Sequence, residues 1–233
     1  MPVIFFDIGA TLADAHVEPD GSLTLQPRPR VMAVLDALGE VRKGIISDPG
    51  PGESAAARAV AALQEALPGS FTDEALVNWG AKDSRSIFDQ AVASTGGAAA
   101  DDCVFVGEDA DERAFAREAG MRSAAHPAFA IAALEDRPVL RARVELPDAL
   151  GPPELATAVD ETEAVVVEFV SERLALAMAT TQGAQALEHA GFTVDLRGPV
   201  DEVVAFPIPD DQQVSAAEPS ADAPHESPWT TGS

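Results

Sequence analysis

Cysteine occurs once in the 233 residues, at Cys103, so no internal disulfide can form and a disulfide-stapled miniprotein is excluded. A chain so poor in cysteine is expected to work in the reducing cytoplasm. Positive charge is scarce too: 15 Lys and Arg against 39 Asp and Glu leave a formal net charge of −24. Such a chain repels a phosphate backbone, and its basic residues form no stripe and alternate with no aromatics, so no nucleic-acid partner is expected. No stretch approaches the roughly 18 uninterrupted apolar residues of a spanning helix, and the opening Met-Pro-Val-Ile-Phe-Phe-Asp lacks the basic head and cleavage site of a signal peptide. No membrane partner is expected either. His16, His126, His189 and His225 stand apart from one another and from Cys103, which speaks against zinc, and no Walker-type Gly-Lys-Ser/Thr is present.

What is present suits a globular fold. Apolar residues make up 46% of the chain, and at this length folding buries roughly 70% of the surface that the unfolded chain exposes, which fits one domain of about 150 residues plus an extra unit. Acidity is shared along the chain, but residues 208–233 differ in kind: five acidic residues, no basic one and almost no aliphatic material. Such a segment cannot repay the entropy of ordering and reads as a disordered acidic tail.

Residues 1–135 alternate short apolar runs with longer amphipathic ones, the rhythm of a parallel βα sheet. Val3 to Phe6 is too short for a buried helix and fits a central strand covered on both faces. Gly44 to Ile46, Leu76-Val77, Cys103 to Val106 and Arg122 to Ala125 are the further expected strands. Asp20-Gly21 marks a hairpin turn. Helices are expected over Arg30 to Leu38, Glu53 to Leu67, Ser84 to Ser94 and Glu112 to Ala119. Residues 136–207 read as a small α+β unit: strands within Val139 to Leu146, Ala164 to Phe169, Arg173 to Ala179, Phe192 to Leu196 and Val203 to Phe206, and one helix from Thr181 to Ala190. Pro147, Gly151, Pro152 and Pro153 are expected to break the chain between the first two of these strands.

Three strands of the first region end in polar residues: Asp7, Ser47 and, just past Gly107, Glu108. In open α/β sheets the carboxyl ends of parallel strands form the ligand crevice, so these side chains should converge, with Lys82 within reach as a cation. A carboxylate, a hydroxyl, a lysine and an acidic cluster together suit phosphoryl transfer: the nucleophile attacks phosphorus while the others and a divalent ion balance the oxygens.

The order of these residues resembles the haloacid dehalogenase superfamily. Val-Ile-Phe-Phe-Asp7-Ile-Gly-Ala-Thr11-Leu12 is similar to its first motif, Gly-Ile-Ile-Ser47 to its second, Ala-Lys82-Asp-Ser-Arg to its third and Gly107-Glu108-Asp109-Ala-Asp111-Glu112 to its fourth. The resemblance covers residues 3–126. It implies an α/β fold, a Rossmann-like three-layer core over residues 1–135 with the α+β unit and the tail appended. It also implies a Mg2+-dependent phosphatase acting through an aspartyl intermediate on Asp7. Thr11 would orient the first motif, Ser47 and Lys82 would bind phosphate, and Asp7, the Gly9 carbonyl, Glu108 and Asp109 or Glu112 would hold the metal.

Two departures bear on activity. Where phosphatases of the superfamily carry a second Asp as general acid and base, this chain has Gly9, which forfeits the roughly 10²- to 10⁴-fold that such catalysis supplies. The fourth motif opens with Glu108 where Asp is usual. Only 40 positions separate Asp7 from Ser47 and 35 separate Ser47 from Lys82, so no cap domain fits and the expected type is capless, with residues 139–206 as the candidate cover. The expected substrate is a phosphorylated small molecule or macromolecule. One alternative is a catalytically silent relative that binds a protein partner or a second copy through its C-terminal unit. Another is a dehalogenase- or phosphonatase-like hydrolase.

Overall fold

The computed structural model describes residues 1–19 and 22–200; the Asp20-Gly21 turn, the expected strand Val203 to Phe206 and the acidic tail lie outside the described residues. In chain order the elements are β1 (Val3–Phe6), β2 (Ala13–Val17), β3 (Leu23–Pro27), α1 (Val31–Ala37), β4 (Arg42–Ser47), α2 (Ala55–Ala66), β5 (Val77–Trp79), α3 (Ser86–Ser94), β6 (Cys103–Val106), α4 (Ala110–Glu118), β7 (Arg122–Ala124), α5 (Ala130–Leu134), β8 (Leu140–Glu145), α6 (Pro152–Asp160), β9 (Ala164–Ser171), β10 (Leu174–Ala179), α7 (Thr181–His189) and β11 (Thr193–Pro199).

A parallel sheet of order β5-β4-β1-β6-β7 forms the centre. All four side chains of β1 are fully buried, as are those of β6. Successive residues of a strand face opposite ways, so an unbroken apolar run needs cover on both faces. Ile4 and Phe6 pack with Leu35 of α1, Leu63 of α2 and Ala130 of α5, while Val3 and Phe5 pack with Phe88 of α3 and Ala116 of α4. The result is an α/β, Rossmann-like three-layer arrangement with helices on both faces of the sheet. Burying the four side chains of β1 contributes on the order of 10 kcal/mol, before the entropy of ordering is counted. Gly44 stands opposite Phe5 because nothing larger fits: a Cβ there would lie 2.7 Å from the Phe5 ring and 2.6 Å from the Leu76 carbonyl oxygen.

Strands β2 and β3 form the expected hairpin immediately after the first motif. A second, antiparallel sheet of order β11-β8-β10-β9 carries α6 and α7 and has its own core of Val144, Leu155, Val159, Ala175, Ala177 and Leu187. Both sheets lie in one compact unit. The structure corrects the expected break at Pro152-Pro153, which begins α6: proline at the first helical position loses no hydrogen bond, and Glu154 Oε2 accepts from the Gly151 amide at 2.8 Å. Gly191, with φ of 99°, follows the last turn of α7 and ends it.

The segment Thr162 to Ala164 enters β9 under tight constraint. Arg137 grips the Glu163 carboxylate with both terminal nitrogens, Nη2 lying 2.6 Å from Oε1, and Thr180 Oγ1 donates to Oε2 at 2.7 Å. These donors, Arg137 foremost and against the effect of burial, hold Glu163 below the usual carboxylate range. Gly183 of α7 lies directly over this segment, where an added Cβ would meet the Glu163 carbonyl oxygen at 2.1 Å. Helix propensity alone would make Gly183→Ala stabilising by about 1 kcal/mol. The backbone clash reverses the sign, and urea unfolding should show Gly183→Ala destabilised by about 1–3 kcal/mol.

His126 stands two residues past β7 and caps the turn Pro127–Phe129, its Nδ1 accepting from the Ala128 amide at 3.1 Å. Burial, with Arg30 and Arg28 nearby, pushes its pKa down to about 4. The folded state therefore keeps this imidazole neutral where the unfolded chain, titrating near 6.5, takes up a proton. Stability should fall as pH drops from about 6.5 to about 4, by at most about 3 kcal/mol from this group, and His126→Gln should flatten that limb of a melting-temperature profile.

Candidate functional site

The topology brings the ends of β1, β4 and β6 together. Asp7 follows β1 and is 4% exposed, its amide donating to the Val106 carbonyl at 2.9 Å. Ser47, the last residue of β4, is 5% exposed and donates through Oγ to Asp7 Oδ1 at 2.8 Å. Lys82, in the loop after β5, places Nζ 2.6 Å from the same oxygen and 2.8 Å from Glu112 Oε2 on α4. Both contacts of Lys82 are ion pairs, and among the described residues Glu112 Oε2 has no hydrogen-bond partner. Thr11, also buried, donates to Glu108 Oε2 at 2.7 Å and accepts from the Glu108 amide at 3.2 Å. The first and fourth motifs are therefore tied to each other directly.

Glycine at position 107 makes this approach possible, since a Cβ would lie 2.8 Å from the Phe105 ring and 3.7 Å from Asp7 Cβ. Burial pushes the Asp7 carboxyl above its ordinary range, with Lys82 and Ser47 opposing that shift. Burial also works against the Lys82 ammonium, but Asp7 and Glu112 outweigh it and hold its pKa above that of a free lysine. Lys82 is thus a fixed cation in an acidic protein, placed between two carboxylates.

The remaining expected site residues divide. Glu108 lies close enough to Asp7 for its charge to add to the rise of the Asp7 pKa. Gly9 forms a bridge with Ala13, and the space around its Cα is open. Asp109 caps α4, its Oδ1 accepting from the amides of Asp111 and Glu112 at 2.8 and 3.0 Å, and Glu112 is engaged by Lys82. Among the described residues no group of three or more metal-ligating side chains is present. Magnesium, which keeps several waters and takes one or two carboxylates alongside phosphate oxygens, does not require one. Asp7, Glu108 and the Gly9 carbonyl are all hard oxygen donors and fit such an ion in kind.

Arg113 was not expected at this site. It is 4% exposed and Nη1 donates to the carbonyls of Gly107 and Glu108 at 2.8 and 2.7 Å, pinning the turn that carries Glu108. The signal was its place three residues before Ala116 on the buried stripe of α4.

No family model matches the sequence, and no curated protein matches it. Solved structures that match part of the chain include two phosphatases. A cobalt-bound deoxy-D-mannose-octulosonate 8-phosphate phosphatase from Haemophilus influenzae is 16% identical with a TM-score of 0.39, over 53% of this chain and 67% of that one. A 3-deoxy-D-manno-octulosonate 8-phosphate phosphatase from Moraxella catarrhalis, in complex with magnesium, phosphate and KDO, is 18% identical with a TM-score of 0.36, over 52% of this chain and 64% of that one. The match thus spans about two thirds of each of those chains.

Removing the cation should expose the cost of the arrangement. Lys82→Met leaves Asp7 and Glu112 without a counter-charge, and in metal-free buffer near pH 7 it should destabilise the fold by about 3 kcal/mol. Without Lys82 the carboxyl pKa values rise further, so the deficit should shrink as pH falls and those groups take up protons. Urea titrations of wild type and variant at pH 8 and pH 5 measure that narrowing.

Proposed function

We propose that the chain is a haloacid dehalogenase-like hydrolase, a capless Mg2+-dependent phosphatase that acts through an aspartyl intermediate on Asp7. What carries the reading is the Asp7 carboxylate at the central strand end, with Ser47 and Lys82 both on Oδ1 and Oδ2 left to react. A phosphate monoester would lie against Ser47 and Lys82. An Asp7 oxygen attacks phosphorus, its O–P bond forms, and the P–O bond to the ester oxygen breaks. Water then attacks the phosphorus of the acyl phosphate, releasing inorganic phosphate and the free carboxylate. Lys82 offsets the charge on the transferring oxygens, Ser47 donates a hydrogen bond, and Thr11 with Arg113 keeps Glu108 in place. Asp7, Glu108 and the Gly9 carbonyl would hold magnesium, which supplies further neutralisation of the phosphoryl charge. Asp109 and Glu112, committed to the helix cap and to Lys82, belong to that set only if these contacts are given up.

Gly9 shapes the substrate class. With no side-chain acid at that position the leaving oxygen takes its proton from water, which favours esters of acidic alcohols or phenols over simple alkyl phosphates. In the same proposal the α+β unit expected over residues 136–207 follows the core over residues 1–135. Among the described residues no helix is long and apolar enough to cross a membrane.

Beryllofluoride, which imitates an aspartyl-phosphate, tests the site directly. With magnesium present at about 100 times the dissociation constant it should stabilise wild type by roughly 2.7 kcal/mol, a melting shift of about 5–10 °C, and Asp7→Asn should show none. Gly9→Asp, whose side chain enters open space, should raise alkyl-phosphate hydrolysis by about 10²-fold or more. A folded wild type that does not shift, together with no gain in Gly9→Asp, would leave the silent binding module as the reading.

A further inference from the structure

Among the described residues three other than glycine hold positive φ: Ala10 at 51°, Arg30 at 69° and Asp136 at 57°. Side chains rarely tolerate this region, and it persists where surrounding contacts over-determine it. Ala10 lies in the turn that follows Asp7, in which the Ile8 carbonyl accepts from the amides of Leu12 and Ala13 at 2.9 and 3.0 Å. That turn is gripped from outside by Arg28. Its amide donates to the Leu12 carbonyl at 2.9 Å, and its Nη1 donates to the Ala10 carbonyl at 2.5 Å, with the Asp14 carboxylate 3.8 Å away.

Two residues on, Arg30 carries the connection to the other sheet. Its backbone occupies the left-handed region at the start of α1, and its guanidinium donates to two main-chain carbonyls, Nη1 to Ala164 at 2.7 Å and Nη2 to Thr162 at 2.5 Å. Those carbonyls flank Glu163, the residue already fixed by Arg137, Thr180 and Gly183. A rigid point of the second sheet is thereby joined through Arg30, Pro29 and Arg28 to the turn bearing Ala10. No hydrogen bond or ion pair described for Asp7, Ser47 or Lys82 comes from residues 139–200.

We infer that Arg28 and Arg30 are positioning residues through which the start of β9 braces the turn after Asp7, so that residues 140–199 serve as an anvil for the site and not as its lid. The linkage stands on the contacts alone; its consequence for chemistry rests on the phosphoryl-transfer reading. Fixing that turn fixes the Gly9 carbonyl and Thr11, two groups that must stay within reach of Glu108 and Asp7 when a phosphate enters.

Native-state hydrogen exchange tests the linkage in the full chain without substrate. In Arg30→Ala the amides of Leu12 and Ala13 should exchange about tenfold faster or more, while those of Phe105 and Val106 hold their protection. Arg28→Ala should speed the same two amides and leave the Thr180 amide, which donates to the Glu163 carbonyl at 3.1 Å, unchanged. Arg30→Lys, which keeps a donor long enough to reach one carbonyl, should recover part of the protection and guards against an alanine variant that fails to fold. The double variant Arg28→Lys with Arg30→Lys should be non-additive at Ala13, as expected of residues on one route. If Arg30→Lys and Arg30→Ala speed Thr180 alone and leave Leu12 and Ala13 protected, Arg30 merely anchors the second sheet and the inference falls. Where wild type responds to magnesium and beryllofluoride, the ligand-dependent melting shift should shrink in Arg30→Ala. An unchanged shift over a lowered baseline counts against a positioning role. Where wild type gives no such shift and Gly9→Asp gains no activity, the phosphatase reading has failed and the exchange data alone decide the linkage.

Discussion

Everything at the candidate site depends on how a carboxylate is kept at the end of a strand that is otherwise wholly apolar. β1 must be apolar on both faces to hold the centre of the sheet, and its next residue, Asp7, is still only 4% exposed. A carboxylate taken out of water costs several kcal/mol unless it is compensated. Compensation comes from two directions that the chain reaches far apart in sequence, a hydroxyl from the end of β4 and an ammonium from the loop after β5. Because Ser47 ends the adjacent strand and Lys82 follows the strand beyond it, the parallel order of the sheet is itself the condition for holding Asp7. Lys82 then needs a second anion to balance the site, and Glu112 on α4 supplies it.

That balance restricts what the site can do. Ser47 and Lys82 occupy one oxygen of Asp7, and Thr11 occupies one of Glu108, so each carboxylate enters any reaction with its orientation already set. Preorganisation of this kind suits charge stabilisation, in which fixed donors face developing negative charge. It does nothing for proton delivery. The open space beside Gly9 holds no acid, so electrostatic support and acid catalysis are separated in this chain.

Legibility in the sequence followed the physics of each signal. β1 and β6 were readable because an apolar run of four residues between turn residues admits few other structures, and β4 only through its short Gly44-Ile45-Ile46 core. Their polar ends were readable because parallel strands share one carboxyl edge. α6 was not, since Pro152-Pro153 read as a break when proline at the first helical turn equally announces a beginning. Asp109 and Glu112 look alike as first-turn acids, yet one caps its helix and the other pairs with a lysine thirty positions earlier. Arg28 and Arg30 left no trace at all. Their acceptors are main-chain carbonyls, for Arg30 more than 130 positions away, and a carbonyl has no letter in the sequence.

The two sheets therefore differ in kind as well as in strand direction. The parallel sheet gathers reactive groups because its topology brings strand ends together. The antiparallel sheet contributes no side chain to that gathering and touches it through main-chain carbonyls, which any sequence folded in that shape would present. What must be specific is the reader of those carbonyls, a planar guanidinium able to span two of them at once, and the backbone strain at Arg30 is the cost of aiming it. A strained residue that satisfies two carbonyls beyond its own sheet lowers its energy only while both sheets keep their places, which makes the junction between them part of the site.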